Sequence, residues 1–282
     1  ETSFYKLNEG KYSIPMMRAM NFMEICEKKQ IYIGEQELIV GERGEKPKAV
    51  YTFPELTCHS EEDLNVLNTR EKQRYLISDE DIEAYQREVI PYWTGRSQRD
   101  RIFSRVPGEW KVAYESGLFT EFMEQRAPGH TCLDGKIYKK GMLDFKKEIE
   151  ESIGKLDYFN DPEATDKEEQ LRAMSLSCDA LIRLGERHAE KAEEMAKQEK
   201  NPERVQELIR IAEVCRWVPA HAPRNFREAI QMYWFVHLAV ITELNGWDSF
   251  NPGHFDQHLA PFYEADIKNG LLTREEAKEL LC

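Results

Sequence analysis

The sequence predicts a mainly α-helical fold with a few short strands. Apolar residues recur at alternating steps of three and four from residue 163 to residue 199, which is the period of an amphipathic helix. Capping signals of the form Ser78-Asp-Glu-Asp and Thr273-Arg-Glu-Glu begin further helical segments. Short strands are predicted only at Ile31–Ile33 and Leu38–Val40, on either side of a turn region.

The N-terminal part of the chain alternates predicted helices with loops. A helix over residues 15–29 places four methionines on one side, namely Met16, Met17, Met20 and Met23. Glycines and prolines predict a loop over residues 41–58. The capping box at Ser78 begins a helix that we expect to end near Val89.

The longest predicted helix covers residues 163–199. Its apolar stripe consists of Leu171, Met174, Cys178, Leu181, Gly185, His188, Ala192 and Met195. The next helix begins at Asn201-Pro202-Glu203, because Asn is a good N-cap and Pro suits the first helical position. Residues 224–244 include the segment Met232–Ile241, which is apolar nearly all round and therefore indicates a buried helix.

The charge balance and the cysteines exclude several classes of protein. With 39 Lys+Arg against 52 Asp+Glu the formal net charge is -13, which argues against binding to nucleic acid or to an anionic membrane. The six cysteines contain no closely spaced pair, so they indicate reduced intracellular thiols. The longest apolar segment is too short to span a bilayer, and we expect a cytoplasmic protein.

The histidines offer few candidates for a metal site, and the sequence contains no HExxH or GxSxG motif. His188 lies on the apolar stripe and His237 in the predicted buried helix, so both are interpreted as core histidines. His254 and His258, with Asp256 between them, have the spacing of two ligands on one helix face. A metal-binding hydrolase is therefore kept as an alternative, while the favoured prediction is that no metal is bound.

Two further residues lie in loops that are rich in helix-breaking residues. His130 follows Pro128-Gly129, and a loop imidazole suits acid–base catalysis because it titrates near neutral pH. Asp248 lies between Trp247 and Phe250, where desolvation would raise the pKa of its carboxyl group. From residue type alone, a surface turn histidine and an Asx-turn acid are the simpler interpretations.

Four strings in the sequence resemble glycyl radical enzymes of the pyruvate formate-lyase-like group. They are Leu118-Phe-Thr-Glu-Phe-Met-Glu-Gln-Arg-Ala-Pro-Gly-His-Thr131, Gln231-Met-Tyr-Trp-Phe-Val-His237, Thr242-Glu-Leu-Asn245 with Trp247-Asp248, and Asp256-Gln-His-Leu-Ala-Pro-Phe-Tyr263. The first string is long and specific, and the resemblance extends over essentially the whole chain. Two departures are His254, where many members have arginine, and Gly246, where a bulkier residue is expected.

The resemblance implies a ten-stranded α/β barrel around a radical site, with helices packed outside. It also implies a glycyl radical, installed by a separate radical SAM activating enzyme, that oxidises a loop cysteine to a hydrogen-abstracting thiyl. The sequence contains neither the family's Gly-Cys-Val-Glu-type string nor its Arg-Val-x-Gly-Tyr-type string, so no cysteine here is assigned as the thiyl residue. We expect residues 1–282 to be the N-terminal portion of a pyruvate formate-lyase-like domain, incomplete at both ends and inactive alone.

Within this group, the resemblance implies a dehydratase that removes water from trans-4-hydroxy-L-proline to give a pyrroline-5-carboxylate. By motif position, His130 corresponds to the pocket histidine that protonates the leaving hydroxyl. Asp248 corresponds to an acid that contacts polar groups of the substrate, and Phe122 to an aromatic residue that packs against its ring. The implied partners are this small molecule, the activating enzyme, the remainder of the chain and a second copy in a homodimer. D-hydroxyproline or a small diol is an alternative substrate.

Overall fold

The computed structural model describes residues 1–49, 52–120, 132–243 and 250–282, and its regular structure is helical. These residues form the α-helices α1 (Thr2–Asn8), α2 (Ile14–Lys28), α3 (Glu61–Thr69), α4 (Asp79–Ala84), α5 (Ile90–Trp93), α6 (Gln98–Phe103), α7 (Gly108–Glu115), α8 (Met142–Ile153), α9 (Ala164–Gln198), α10 (Pro202–Trp217), α11 (Phe226–Glu243), α12 (Phe255–Lys268) and α13 (Arg274–Leu281). A π-helical turn (Tyr85–Val89) joins α4 to α5, and a 3-10 helix (Asp134–Tyr138) precedes α8. None of the described helices combines the length and the apolarity that a membrane-spanning helix needs.

Helix α9 is the longest element and supports three others, because α2, α8 and α10 all pack against it. The predicted apolar stripe is buried in the central part of the helix, at Leu181, His188 and Ala192. It opens to solvent toward the N-terminal end, where Met174 is 47% exposed. The prediction of a long amphipathic helix at 163–199 is therefore confirmed.

Helix α11 lies in the core and contacts α2, α9, α10, α12 and α13. The four consecutive residues 229–232 are all buried. Successive residues of an α-helix point about 100° apart, so this part of the helix is enclosed on all sides. Its first turn is capped from α12, since the Asp266 carboxylate accepts the Phe226 N–H at 2.8 Å. The prediction of a buried helix is confirmed, and contact on several sides explains why this segment is apolar nearly all round.

The two predicted strands, Ile31–Ile33 and Leu38–Val40, are not strands in the structure, and this prediction was wrong. An isolated parallel bridge joins Ala49 to Leu76. The backbone at Val40 instead pairs with a side chain of α11. The Gln231 amide donates to the Val40 carbonyl at 2.7 Å, and its oxygen accepts the Val40 N–H at 2.8 Å. A side-chain amide thus replaces the neighbouring strand as the partner of a buried backbone.

The predicted helix starts are confirmed at Ser78, Asn201 and Thr273, each of which accepts a backbone N–H with its side chain. The helix that begins after Ser78 passes the predicted end at Val89 and continues to Trp93. It contains Pro91, which has no N–H to donate to the preceding turn. The π-helical turn lies directly before this proline, where it accommodates the interruption of the helical hydrogen bonds.

Gly185 lies where α9 packs closely against the end of α10. A Cβ at this position would lie 2.7 Å from Cδ of Pro219 and 3.1 Å from the carbonyl oxygen of Cys215. Two of the three heavy atoms nearest to such a Cβ are backbone carbonyl oxygens, which do not move aside easily.

We predict that Gly185→Ala destabilises the protein although alanine is the better helix former. The gain in helix propensity is about 1 kcal/mol, whereas overpacking of a close contact costs about 1–3 kcal/mol. Urea unfolding measures the difference. Gly108→Ala is the matched control, because no heavy atom lies within 4 Å of a Cβ at that helical glycine. Equal stability of the two variants would contradict the close contact.

His188 is a core histidine, as the sequence predicted. Its ring nitrogen Nδ1 lies 2.7 Å from the Leu184 carbonyl, and its ring packs 5.1 Å from that of Phe235. Burial lowers the pKa of His188 to about 4, because a protonated imidazole would lose its hydration. The folded protein therefore holds this side chain neutral.

We predict that stability falls as pH decreases from about 6.5 to about 4. Unfolded His188 binds a proton near its ordinary pKa of about 6.5, whereas the folded form does not, so acid favours unfolding. The His188→Asn variant should lose part of this pH dependence in unfolding curves measured across the window. The same substitution at the exposed His221 should leave the dependence unchanged. Parallel stability profiles for wild type and His188→Asn would refute the assignment.

Candidate active site

The predicted site residues belong to two segments, residues 121–131 and 244–249. The three predicted site residues and two neighbours named with them lie outside the described residues: Phe122, His130, Asp248, Gly246 and Trp247. The residues that flank both segments are described. Their contacts show how the chain is held on either side of each segment.

Residues that follow the two segments lie side by side. The backbone N–H of Cys132 donates to the carbonyl of Asn251 at 3.1 Å. Cys132 follows His130 by two positions, and Asn251 follows Asp248 by three. Cys132 is buried, with 4% of its surface exposed, so this contact belongs to the core rather than to a surface turn.

The described residues that precede each segment are held by side-chain contacts. Before residues 121–131, Phe119 packs edge-on against Trp110 at 5.0 Å, and Trp110 stacks on Tyr114 at 5.4 Å. Before residues 244–249, the Arg18 guanidinium of α2 binds Glu243, the last described residue of α11. The chain therefore has defined contacts on both sides of each segment.

A polar cluster lies between α11 and the end of the first segment. Nδ1 of His237 lies 3.1 Å from the Tyr233 hydroxyl and 3.4 Å from the Cys132 sulfur. Trp234 stacks on the same imidazole, with ring centroids 5.6 Å apart and planes 12° apart. The Trp234 indole N–H in turn donates to the Gly41 carbonyl at 2.8 Å.

The surroundings of His237 favour its neutral form. Burial lowers the pKa of His237, and the positive charge of Arg43 lowers it further. A neutral imidazole presents one acceptor nitrogen, which suits the hydroxyl and thiol that face Nδ1. The sequence indicated only a core histidine here. It could not reveal the contact with Cys132, because 105 positions separate the two residues.

The turn after the first segment is also held by side-chain contacts. Leu133 and Asp134 have φ angles of 56° and 49°, the left-handed conformation that non-glycine residues rarely adopt. The Asp134 carboxylate lies 3.1 Å from Nε2 of His258. The His258 ring stacks on Tyr138 at a centroid distance of 5.0 Å. These contacts stabilise a strained turn immediately beyond Cys132.

The second set of candidate residues was His254, Asp256 and His258, which could have ligated a metal. His254 lies at the N-cap position of α12, while His258 contacts Asp134 and Tyr138. In the part of the chain that the structure describes, no group of three His, Cys, Asp or Glu side chains is placed to hold a metal ion.

The thiol groups differ in burial and in pKa. Burial raises the pKa of Cys132 to about 11 and that of Cys26 to about 12. Burial likewise raises the pKa of Cys215, whereas Cys282 is exposed.

We predict that iodoacetamide at about pH 8 alkylates Cys282 quickly and the three buried thiols slowly, because the thiolate is the reactive form.

Peptide mass mapping measures this order of alkylation. Unfolding the protein in guanidinium chloride provides the control, since all six cysteines should then react. Rapid modification of Cys132 in the folded protein would contradict its placement in the cluster with His237.

Comparisons with known proteins identify the family of the chain. The family model described as pyruvate formate lyase-like matches residues 1–282. The trans-4-hydroxy-L-proline dehydratase of Clostridioides difficile is 49% identical over 280 residues, which cover 99% of this chain and 36% of that protein. Its crystal structure with trans-4-hydroxy-L-proline bound matches with a TM-score of 0.93, over 99% of this chain and 36% of that chain.

More distant relatives agree with this result. The glycerol-bound B12-independent glycerol dehydratase from Clostridium butyricum matches with a TM-score of 0.88 at 33% identity, over 99% of this chain and 35% of that chain. The isethionate sulfite-lyase of Nitratidesulfovibrio vulgaris is 31% identical, over 99% of this chain and 35% of that protein. The chain thus spans 36% of the length of the first of these relatives. It belongs to the pyruvate formate lyase-like family of glycyl radical enzymes.

Proposed function

We propose that this chain forms the substrate-pocket part of a glycyl radical dehydratase that converts trans-4-hydroxy-L-proline to pyrroline-5-carboxylate and water. The observation that carries the proposal is the 49% identity, at a TM-score of 0.93, to a dehydratase whose structure contains this substrate. Identity to the glycerol dehydratase is lower, at 33%. The hydroxyproline enzyme is therefore the better guide to the substrate.

Within this pocket, we assign His130 as the general acid, Asp248 as the acid that holds polar groups of the substrate, and Phe122 as the aromatic wall. The contact between Cys132 and Asn251 supports the assignment, since it brings together the chain just beyond His130 and just beyond Asp248. A backbone hydrogen bond in the core is a rigid support for residues borne on loops.

The chemical requirement for His130 follows from the leaving group. Hydroxide leaves poorly, so the C4 oxygen must receive a proton as the carbon–oxygen bond breaks. A protonated imidazole donates that proton, the oxygen departs as water, and the histidine is left neutral. Asp248 holds the substrate ring in position relative to His130, and Phe122 packs against the apolar face of that ring.

The rest of the enzyme supplies the radical chemistry. A glycyl radical in the intact enzyme would supply the hydrogen-abstracting chemistry, and none of the six cysteines here lies in a Gly-Cys-Val-Glu-type string. We therefore give no residue of this chain a radical role. The proposal also includes a radical SAM activating enzyme, a homodimer, a cytoplasmic location, and packing of this chain into a ten-stranded α/β barrel of the intact enzyme.

We predict that His130→Gln in the intact, activated enzyme leaves the radical in place but lowers kcat by at least about 100-fold, the usual scale of general acid catalysis. Electron paramagnetic resonance quantifies the radical, and the rate of pyrroline-5-carboxylate formation measures kcat. The exposed His221→Gln is the control and should keep both values. Unchanged turnover by His130→Gln would remove its role as the acid.

The substrate is tested separately from the acid. The wild-type enzyme should turn over trans-4-hydroxy-L-proline with a higher kcat/KM than D-hydroxyproline or glycerol. A preference for glycerol would leave the dehydratase chemistry in place and overturn the substrate assignment. A metal-dependent hydrolase would show neither reaction and would lose activity when treated with a chelator.

A further inference from the structure

An apolar groove lies on the helical framework between α2, α8, α9 and α11. It has a volume of about 730 Å³. Leu133, which closely follows residues 121–131, and Glu243, which precedes residues 244–249, both line it. The groove therefore lies next to described residues from both parts of the chain that flank the candidate active site.

The lining of the groove resembles a protein interior more than a protein surface. Among the described residues, charged side chains line it at three positions, Arg18, Glu148 and Glu243. Arg18 is paired with Glu243, and Glu148 is paired with Lys140. Large apolar side chains in the same lining are in contact with water, and Ile14 is 78% exposed. Contiguous exposed apolar surface of this kind marks a site of interaction.

The apolar stripe of α9 continues from the core into this groove. Its central residues His188 and Ala192 are buried beneath other helices. Toward the N-terminal end of α9, the stripe residues Leu171, Met174 and Cys178 line the groove. An amphipathic helix gains most of its stability by packing its apolar face against other elements. In α9 the described residues cover the central part of that face fully and its N-terminal part only partly.

We propose that an apolar segment from the rest of the intact enzyme's own chain fills this groove. The inference rests on the proposed function, which takes the chain as one part of a longer enzyme. The chain spans 36% of the trans-4-hydroxy-L-proline dehydratase of Clostridioides difficile, so most of an enzyme of that kind is available to cover the groove. Large apolar contacts of this type are typical of surfaces that stay together permanently.

The charge and the shape of the groove favour the same chain over other occupants. Because its charged side chains already have partners, the groove offers little electrostatic attraction to a charged protein or ligand. In a symmetric dimer, two copies of one surface face each other. Two concave apolar surfaces placed in this way would leave a void between them, which close packing disfavours.

Photo-crosslinking in the intact enzyme identifies the occupant. Met174 is replaced by p-benzoylphenylalanine, which on irradiation bonds to C–H groups that touch it, and the product is mapped by mass spectrometry. We expect a link from residue 174 to a peptide of the same chain outside residues 1–282, in a product with the mass of one chain. Arg172 is the matched control position, because it lies about 200° around α9 from Met174 and its side chain is 61% exposed. The same probe there should give no such link.

Several results would overturn the inference. They are a product with the mass of two chains, links confined to residues 1–282, no link at all, and equal linking from positions 172 and 174. The crosslink does not depend on which substrate the enzyme uses. Turnover of trans-4-hydroxy-L-proline by the wild-type enzyme is measured separately, so failure of the proposed function and failure of this inference are distinguishable.

Substitutions at the same two positions test the groove without a bulky probe. Met174→Asp should lower the midpoint of urea unfolding of the intact enzyme, because a carboxylate covered by an apolar segment loses its hydration. Met174→Leu keeps the volume and the apolar character and should leave the midpoint nearly unchanged. Arg172→Asp introduces the same acid on the exposed face of α9 and should lower the midpoint less. A decrease for Met174→Asp no larger than that for Arg172→Asp would show that residue 174 stays in contact with water, and would overturn the inference.

Discussion

The burial of α11 is the constraint on which the rest of the structure depends. A helix enclosed on several sides has no water for its polar side chains, so each polar group needs a partner from another part of the chain. Gln231 finds it in the backbone of Val40, Trp234 in the Gly41 carbonyl, and His237 in Tyr233 and Cys132. Apart from Tyr233, which lies on α11 itself, these partners come from two loops distant in sequence. The helix thereby places both loops against one side of the core.

The same constraint organises the candidate active site. Cys132, which follows the first segment, contacts α11 through His237 and contacts Asn251 through its backbone. Glu243, which precedes the second segment, belongs to α11. Described residues next to both segments are therefore anchored on one buried helix, and a rigid support of this kind is where binding and catalytic residues are usually found.

The predictions from sequence succeeded where the determining interactions are local. The period of α9 and the caps at Ser78, Asn201 and Thr273 involve residues two to four positions apart, and all of them are confirmed. The strand predictions at 31–33 and 38–40 failed for the opposite reason. Apolar residues there indicate burial correctly, but whether a buried segment pairs with a strand or with side chains depends on which element lies beside it.

The sequence by itself determined the three long helices α9, α10 and α11, the helix starts at Ser78, Asn201 and Thr273, the core position of His188 and, through four short strings, the resemblance to glycyl radical enzymes. It also named His130, Asp248 and Phe122, whose roles remain predictions. Only the tertiary structure decided that Cys132 meets His237 and Asn251, and that Arg18 binds Glu243 on α11. Contacts between residues so far apart in sequence cannot be predicted from the spacing of neighbouring residues. They are selected by the need to satisfy buried polar groups once the helices have packed.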